Sequence, residues 1–182
     1  MNKITAVAVN QTSLAVGTAS GTVFVHNIDT KNRGDHYKPI KYTAHSKAIT
    51  GIWLKHQTSL ITVSEDSKFF IKHLGRSPDK KDDYIDISKH NLLELTCVDV
   101  MNNKCEADDL ECLIGTLSGK LVRIQKEKGG LLSGLWSSDL IFEVLFQPKD
   151  SEGKVMSVAY KSNLAIWATP KQIRVMHFNK VT

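Results

Sequence analysis

Two closely similar stretches constrain this chain more than any other feature: Gly17-Thr18-Ala19-Ser20-Gly21-Thr22-Val23-Phe24-Val25 and Gly115-Thr116-Leu117-Ser118-Gly119-Lys120-Leu121-Val122-Arg123-Ile124. In each, Gly-Thr-x-Ser-Gly lies between an apolar segment and a β-branched or aromatic one, which is the composition of a tight β-hairpin. Weaker versions stand at Val63-Ser64-Glu65-Asp66-Ser67-Lys68-Phe69-Phe70-Ile71 and at Ala168-Thr169-Pro170-Lys171-Gln172-Ile173-Arg174-Val175. Aligning Val23, Phe69, Leu121 and Ile173 gives spacings of 46, 52 and 52 residues. A period of this length repeats one supersecondary unit per step. Glycine richness alone would suit a phosphate cradle, but neither copy opens a helix whose N-terminus would receive a phosphate.

Each repeat divides into short strands separated by turn residues. The first unit predicts strands over 4–9, 14–18 and 22–27, the second over 49–54, 59–64 and 68–73, the third over 93–100, 111–116 and 120–125, and the fourth over 155–160, 164–169 and 172–178. Outer strands are expected at 39–43, 84–87 and 140–146, between polar or charged loops. All four prolines fall at strand ends or in loops, where a missing backbone donor costs least. The expected fold is therefore all-β, a partial β-propeller of about four blades of antiparallel meander. Residues 1–182 read as one such fragment, with approximate units 1–37, 38–83, 84–137 and 138–182. Four units are fewer than most propellers use, so the expectation is a longer protein or a second body over the open side.

The second unit carries a finer pattern. Ala44-His45, Ser64 and Asp66 fall where WD-repeat blades place a loop histidine, a strand serine and a turn aspartate, groups able to hydrogen-bond across the loop. The Trp-Asp pair that closes such repeats is replaced by Lys72-His73. The last unit contains Asn163-Leu164-Ala165-Ile166-Trp167-Ala168 between two apolar strands, followed by Ile173 to Phe178. That segment resembles the corresponding blade of the vacuolar protein sorting-associated protein 41 family, subunits of the HOPS tethering complex of late endosomes, lysosomes and vacuoles. The runs Leu14 to Val23 and Leu113 to Leu121 resemble that family's first and third blades. Asn179 departs from the acidic residue usual there, and the family's acidic N-terminal tail, helical solenoid and RING-type segment have no counterpart in these residues.

The residues themselves argue against catalysis. The seven histidines are dispersed, and the acidic pairs lie in loops rich in Lys or Asn, without the apolar surroundings that split pKa values. There is no nucleophile elbow, P-loop or dinucleotide fingerprint, so no cofactor is expected. Cys97, Cys105 and Cys112 are seven or eight residues apart, too far for a paired zinc knuckle, and read as reduced structural thiols. Lys and Arg exceed Asp and Glu by 24 to 19, but the surplus is scattered and not interleaved with aromatics, so no nucleic acid is expected. No apolar run reaches the 18 or so residues that span a bilayer, and the chain reads as cytosolic. Glu143-Val144-Leu145-Phe146-Gln147 resembles a picornaviral protease recognition sequence, yet it sits where an outer strand is expected.

Function is expected on loops that differ between blades. The most suggestive is Gly129 to Ser138, in which a helical turn would place Leu131, Leu132, Leu135 and Trp136 on one face opposite small uncharged residues, the pattern of a lipid-packing sensor. Three glycines weaken that helix, and packing of Leu135 and Trp136 on their own blade is the competing reading. The resemblance implies a non-catalytic module in vesicle transport and membrane fusion, peripheral on late endosomal, lysosomal or vacuolar membrane. Its implied partners are other tethering-complex subunits, a Rab-family GTPase and an adaptor coat. The alternative is a general WD-repeat scaffold of an unrelated protein or ribonucleoprotein assembly.

Overall fold

Side-chain alternation across a pleated strand is plainest in β2 (Ser13–Thr18), which buries Ser13, Ala15 and Gly17 and leaves Leu14 and Val16 half-buried on the other face. A computed structural model describes residues 3–28, 38–55, 59–74, 83–87, 94–101, 110–126, 140–149 and 152–178. These residues form strands and turns, with no helix among them.

The chain divides into two units, Met1–Leu95 and Thr96–Thr182. In the first unit, β1 (Ile4–Val9), β2, β3 (Thr22–Asn27) and β4 (Ile40–Thr43) pair in chain order as one sheet. A second sheet follows in the same order, from β5 (Ile49–Lys55), β6 (Ser59–Ser64), β7 (Lys68–His73) and β8 (Asp83–Asp86). The second unit carries a sheet of β9 (Leu95–Val100, whose first residue closes the first unit), β10 (Glu111–Thr116), β11 (Leu121–Lys126) and β12 (Leu140–Phe146). Its last sheet has three strands, β13 (Ser157–Lys161), β14 (Leu164–Ala168) and β15 (Ile173–His177). Every pairing recorded between neighbours in the first, second and last sheets is antiparallel, as are those joining β10, β11 and β12. The chain is all-β and propeller-like.

Strand ends lie within two residues of those the turn residues mark. Grouping differs, because each outer strand folds back on the third strand of its own sheet, as in Thr22↔Thr43 and Leu121↔Phe146. Sheets therefore cover 4–43, 49–86, 95–146 and 157–177, one strand offset from units 1–37, 38–83, 84–137 and 138–182. The protease-like pentapeptide lies on β12 up to Phe146, paired with β11.

Within each unit, consecutive sheets stack face to face. In the first, Ala15, Val23 and Val25 pack on Ile49, Leu60 and Phe70, with Ile52 and Leu54 at the edge of the cluster. In the second, Trp167, Ala165 and Val158 pack on Cys97, Leu113, Leu121 and Val155. Each fully buried large aliphatic or aromatic side chain contributes roughly 1.5–3 kcal/mol relative to exposure. The first glycine of the motif permits this contact. A Cβ on Gly17 would stand 2.7 Å from Ile49 Cγ2, and one on Gly115 would stand 2.6 Å from both Cys97 Sγ and Val155 Cβ.

The second glycine has a different task. Gly119 takes φ +83° in its turn, and a Cβ there would stand 2.6 Å from the Gly153 carbonyl oxygen, where the chain enters the next sheet. Gly153 has nearly the same φ, +81°, but its Cβ would meet only the Pro170 ring at 3.2 Å. Both Ala substitutions incur left-handed strain of roughly 1–2 kcal/mol, and Gly119→Ala must also displace backbone. Urea unfolding should show a loss of about 3 kcal/mol or more for Gly119→Ala against about 1 kcal/mol for Gly153→Ala. Equal losses would mean that the close approach to Gly153 does not constrain the turn.

Candidate functional site

The turns between second and third strands are built alike, around a hydroxyl at the end of the second strand. Thr18 Oγ1 donates to the Thr22 carbonyl (2.9 Å) and accepts from the Thr22 N–H (3.2 Å). Thr116 Oγ1 makes the same two bonds with Lys120, at 3.3 and 3.0 Å. Thr169 Oγ1 repeats them with Gln172 at 3.4 and 3.3 Å. In the second sheet Ser64 Oγ accepts the Asp66 N–H at 3.2 Å, and Asp66 Oδ1 in turn accepts the Lys68 N–H at 3.1 Å. The motif hydroxyls thus satisfy backbone of their own turns, and no phosphate cradle results.

His45 is drawn into the second of these turns. Its ring is buried, with Nδ1 3.1 and 3.3 Å from the two Asp66 carboxylate oxygens and Nε2 2.7 Å from Thr62 Oγ1. Asp66 Oδ2 also accepts the Ser46 N–H at 2.9 Å. Of the three residues singled out by pattern, His45 and Asp66 meet directly. Ser64 reaches Asp66 only through its backbone N–H, and Thr62 takes the place on the far ring nitrogen. Thr62 lies two residues before Ser64 on the same strand face, so its participation was available from period two. Burial lowers the His45 pKa below 6.5, and this outweighs the opposing pull of Asp66 and the hydrogen bond with Thr62, with Lys68 adding a smaller push downward. A neutral ring donates from Nδ1 to Asp66 and accepts the Thr62 hydroxyl at Nε2.

In the second unit, Trp167 is buried, its ring 5.4 Å from that of Phe146, and its indole N–H has no acceptor among the described residues. The Arg174 guanidinium stacks 4.3 Å over the Phe146 ring and is held from behind by Glu152 Oε1 at 2.7 Å. The hydrogen bond from Arg174 keeps the Glu152 pKa below the usual carboxylate value. Arg123 joins Glu111 and Glu143 across three adjacent strands. Asp99 of β9 accepts the Tyr160 N–H at 2.6 Å and the Val100 N–H at 2.9 Å, tying the two sheets of this unit. Burial raises its pKa, and the two N–H donors act against that rise. Burial likewise pushes the Cys97 thiol up to about 11, which makes it a poor nucleophile. Cys97 and Cys112 are both buried and in no disulfide. None of these contacts was marked by a sequence motif.

These arrangements are structural in chemistry: side chains saturate backbone and one another. Among the described residues, no three His, Cys, Asp or Glu side chains are grouped to hold a metal ion. No helix among them is long and apolar enough to cross a membrane. Leu131, Leu132, Leu135 and Trp136, the expected lipid or partner contacts, lie outside the described residues, as does the rest of Gly129 to Ser138. Cys105 lies outside them too.

Comparison with known proteins adds three findings. The family model of the Pep3/Vps18/deep orange β-propeller domain matches residues 1–181. No curated protein matches the chain. Among solved structures, the computationally designed Ika4 protein superposes with a TM-score of 0.62 at 14% identity, over 98% of this chain and 93% of that one. The Cps50 (Swd1) β-propeller domain of Myceliophteria thermophila superposes with a TM-score of 0.66 at 15% identity, over 97% of this chain and 53% of that one. The chain thus spans about half the length of the Cps50 domain, and at such identities both likenesses concern the fold alone.

The His45 network yields a pH dependence. Its folded pKa lies below the unfolded value of 6.5, so the native state binds fewer protons below that pH. Stability from this group is complete above pH 6.5 and declines as the pH falls, by at most about 1.4 kcal/mol per pH unit. Urea unfolding of the wild type and His45→Asn at pH 7 and pH 5 should show a smaller acid loss in the variant. Identical losses would assign the dependence to other groups.

Proposed function

The chain belongs to the Pep3/Vps18/deep orange β-propeller domain family, and from that premise we propose that it is a non-catalytic interaction scaffold of the HOPS type, acting in vesicle transport and membrane fusion at late endosomes, lysosomes or vacuoles. The observation that carries this reading is the family match over residues 1–181, which makes the chain a vacuolar-sorting tethering-type propeller. The Asn163 to Ala168 segment pointed to the protein 41 family. The matched family is a different one, and the tethering reading stands on the match.

The chemistry of the described residues supports a scaffold. Buried polar groups such as His45, Asp66 and Thr62 are consumed in holding turns, while the segments between sheets differ in length and charge and are free to diverge. Other tethering-complex subunits are the first partners in this reading. A Rab-family GTPase in its GTP form and an adaptor coat belong to its finer version, together with peripheral attachment to the membrane. Several weak contacts acting together supply avidity. The apolar face of Leu131, Leu132, Leu135 and Trp136 enters from the sequence alone, as the lipid or partner contact.

Two measurements test the reading. Affinity purification of the tagged chain from cells should recover vacuolar-sorting tethering subunits. Recovery of a ribonucleoprotein or chromatin complex in their absence would replace the tether with a general scaffold. In liposome flotation, wild type should rise with small, strongly curved vesicles, and Leu135→Asp/Trp136→Asp should stay at the bottom. If both stay unbound, the 129–138 loop has no lipid role.

A further inference from the structure

Lysines that are scattered along the sequence come together at one end of the second unit. A Cβ on Gly119 would stand 2.6 Å from the Gly153 carbonyl oxygen and 3.1 Å from the Pro148 ring, and one on Gly153 would stand 3.2 Å from the Pro170 ring. These four residues therefore meet, although they belong to three separate connections: the β10–β11 turn, the passage from β12 to β13, and the β14–β15 turn. Each is followed by a lysine, namely Lys120, Lys149, Lys154 and Lys171. Lys149, Lys154 and Lys171 are exposed and Lys120 is half-buried.

Two large apolar side chains stand exposed among them. Leu117, at the tip of the β10–β11 turn, is 49% exposed, and Met156 is 56% exposed. Their positions adjoin, because the Val155 N–H bonds the Thr116 carbonyl at 3.1 Å. The Met156 N–H bonds the Ala168 carbonyl at 2.7 Å, beside the turn that holds Lys171. Among the described residues of these connections Glu152 is the one acidic side chain, and its carboxylate is engaged by Arg174 at 2.7 Å and also feels the charge of Lys171. Asp150 lies outside the described residues. Positive charge is thus in excess at this end.

The chemistry of the surface selects its partner. The described residues of these connections include no aromatic side chain on which a nucleic-acid base could stack. The hydroxyls of Thr116 and Thr169 are taken up by their own turns, and the Arg174 fork by Glu152 and the Phe146 ring. A single phosphate or carboxylate group therefore finds no prepared set of hydrogen-bond donors in these groups. Lysines are point charges on flexible stems. Placed around exposed apolar tips, they suit a broad anionic surface that the apolar side chains can enter.

We propose that this end of the second unit docks on the anionic surface of a membrane, with Lys120, Lys149, Lys154 and Lys171 drawn to the lipid headgroups and Leu117 and Met156 entering between them. Such attraction gives about a fivefold gain in affinity per lysine near the surface and is screened by salt. The site lies at the end of β11 opposite to the one that leads into residues 129–138. It reads surface charge, whereas a lipid-packing sensor reads defects between lipids. The geometry belongs to one unit and does not depend on the tethering role.

The test is co-sedimentation of the 182-residue chain with large, weakly curved vesicles, made of phosphatidylcholine alone or of equal parts phosphatidylcholine and phosphatidylserine. Wild type should bind the mixed vesicles and not the neutral ones, and should release them as salt is raised. Lys149→Gln/Lys154→Gln should bind about 25-fold less tightly, and Leu117→Ser should also weaken binding, each with the wild-type far-UV circular dichroism. Lys41→Gln/Lys161→Gln removes the same charge at exposed positions elsewhere and should bind as wild type, as should Leu135→Asp/Trp136→Asp. Wild type that ignores the mixed vesicles overturns the proposal, and so do equal losses in the two lysine pairs. Loss of binding in Leu135→Asp/Trp136→Asp overturns it in favour of the 129–138 loop. Lysine-dependent binding to polyglutamate or to RNA, without binding to vesicles, overturns it in favour of an acidic protein or a nucleic acid.

Discussion

The structure depends on an oxygen-bearing side chain that closes the hairpin between the second and third strands of every sheet. Thr18, Thr116 and Thr169 each bind both the N–H and the carbonyl of a residue three or four positions on, and in the second sheet Ser64 and Asp66 accept the backbone N–H groups of Asp66 and Lys68. A buried backbone donor without a partner costs about 1–3 kcal/mol. These hydroxyls remove that cost where the chain reverses and fix which residues stand opposite each other. Gly17↔Val23 and Gly115↔Leu121 follow directly.

Once register is set, sheet stacking follows from it. Gly17 and Gly115 stand where a side chain would strike the chain of the next sheet, at Ile49 and Val155 respectively. Positive φ then recurs four residues later, at Gly21 (+77°), Ser67 (+61°, four after Val63) and Gly119 (+83°). The chain leaving each outer strand passes beneath these turns: the Ala44 and His45 N–H groups bond the Gly21 carbonyl, and the Ile87 N–H bonds the Ser67 carbonyl. The Gly-Thr-x-Ser-Gly motif therefore encodes a close approach, a hydroxyl lock and a left-handed turn within five residues. Each of these is needed for one sheet to lead into the next.

That density of local constraint is why strands and turns were legible in the sequence. Alternation in Leu14 to Thr18 and the turn residues around Ser20 and Ser118 specify short antiparallel strands without reference to distant residues. Contacts between elements were less legible. Nothing local tells that Asp99 accepts the Tyr160 N–H across 61 positions, or that Arg174 lies over Phe146. The WD pattern names the serine, Ser64, whereas the hydroxyl that meets the far ring nitrogen of His45 belongs to Thr62, two residues earlier on the same strand face. The grouping of outer strands was displaced by one strand because spacing measures recurrence along the chain, whereas a sheet is defined by which strand folds back on which.

The segment that suggested a particular tether shows the same limit from the functional side. Ser162 and Asn163 have φ of +52° and +65°, and they join Lys161 to Leu164 in a two-residue hairpin of the type that favours asparagine. Asn163 also accepts the Phe178 N–H on its carbonyl at 2.7 Å. Trp167 and Ala165 are buried against the preceding sheet. Asn163 and Trp167 of Asn-Leu-x-x-Trp-Ala thus answer to a turn and to packing, demands that any blade in this position meets irrespective of its partners. A motif of that kind reports architecture, and it drew the reading to a neighbouring vacuolar-sorting family while the match over 1–181 identifies another. Residues that distinguish tethers from one another must therefore lie where neither hairpin closure nor sheet stacking dictates the side chain, on the connections between sheets.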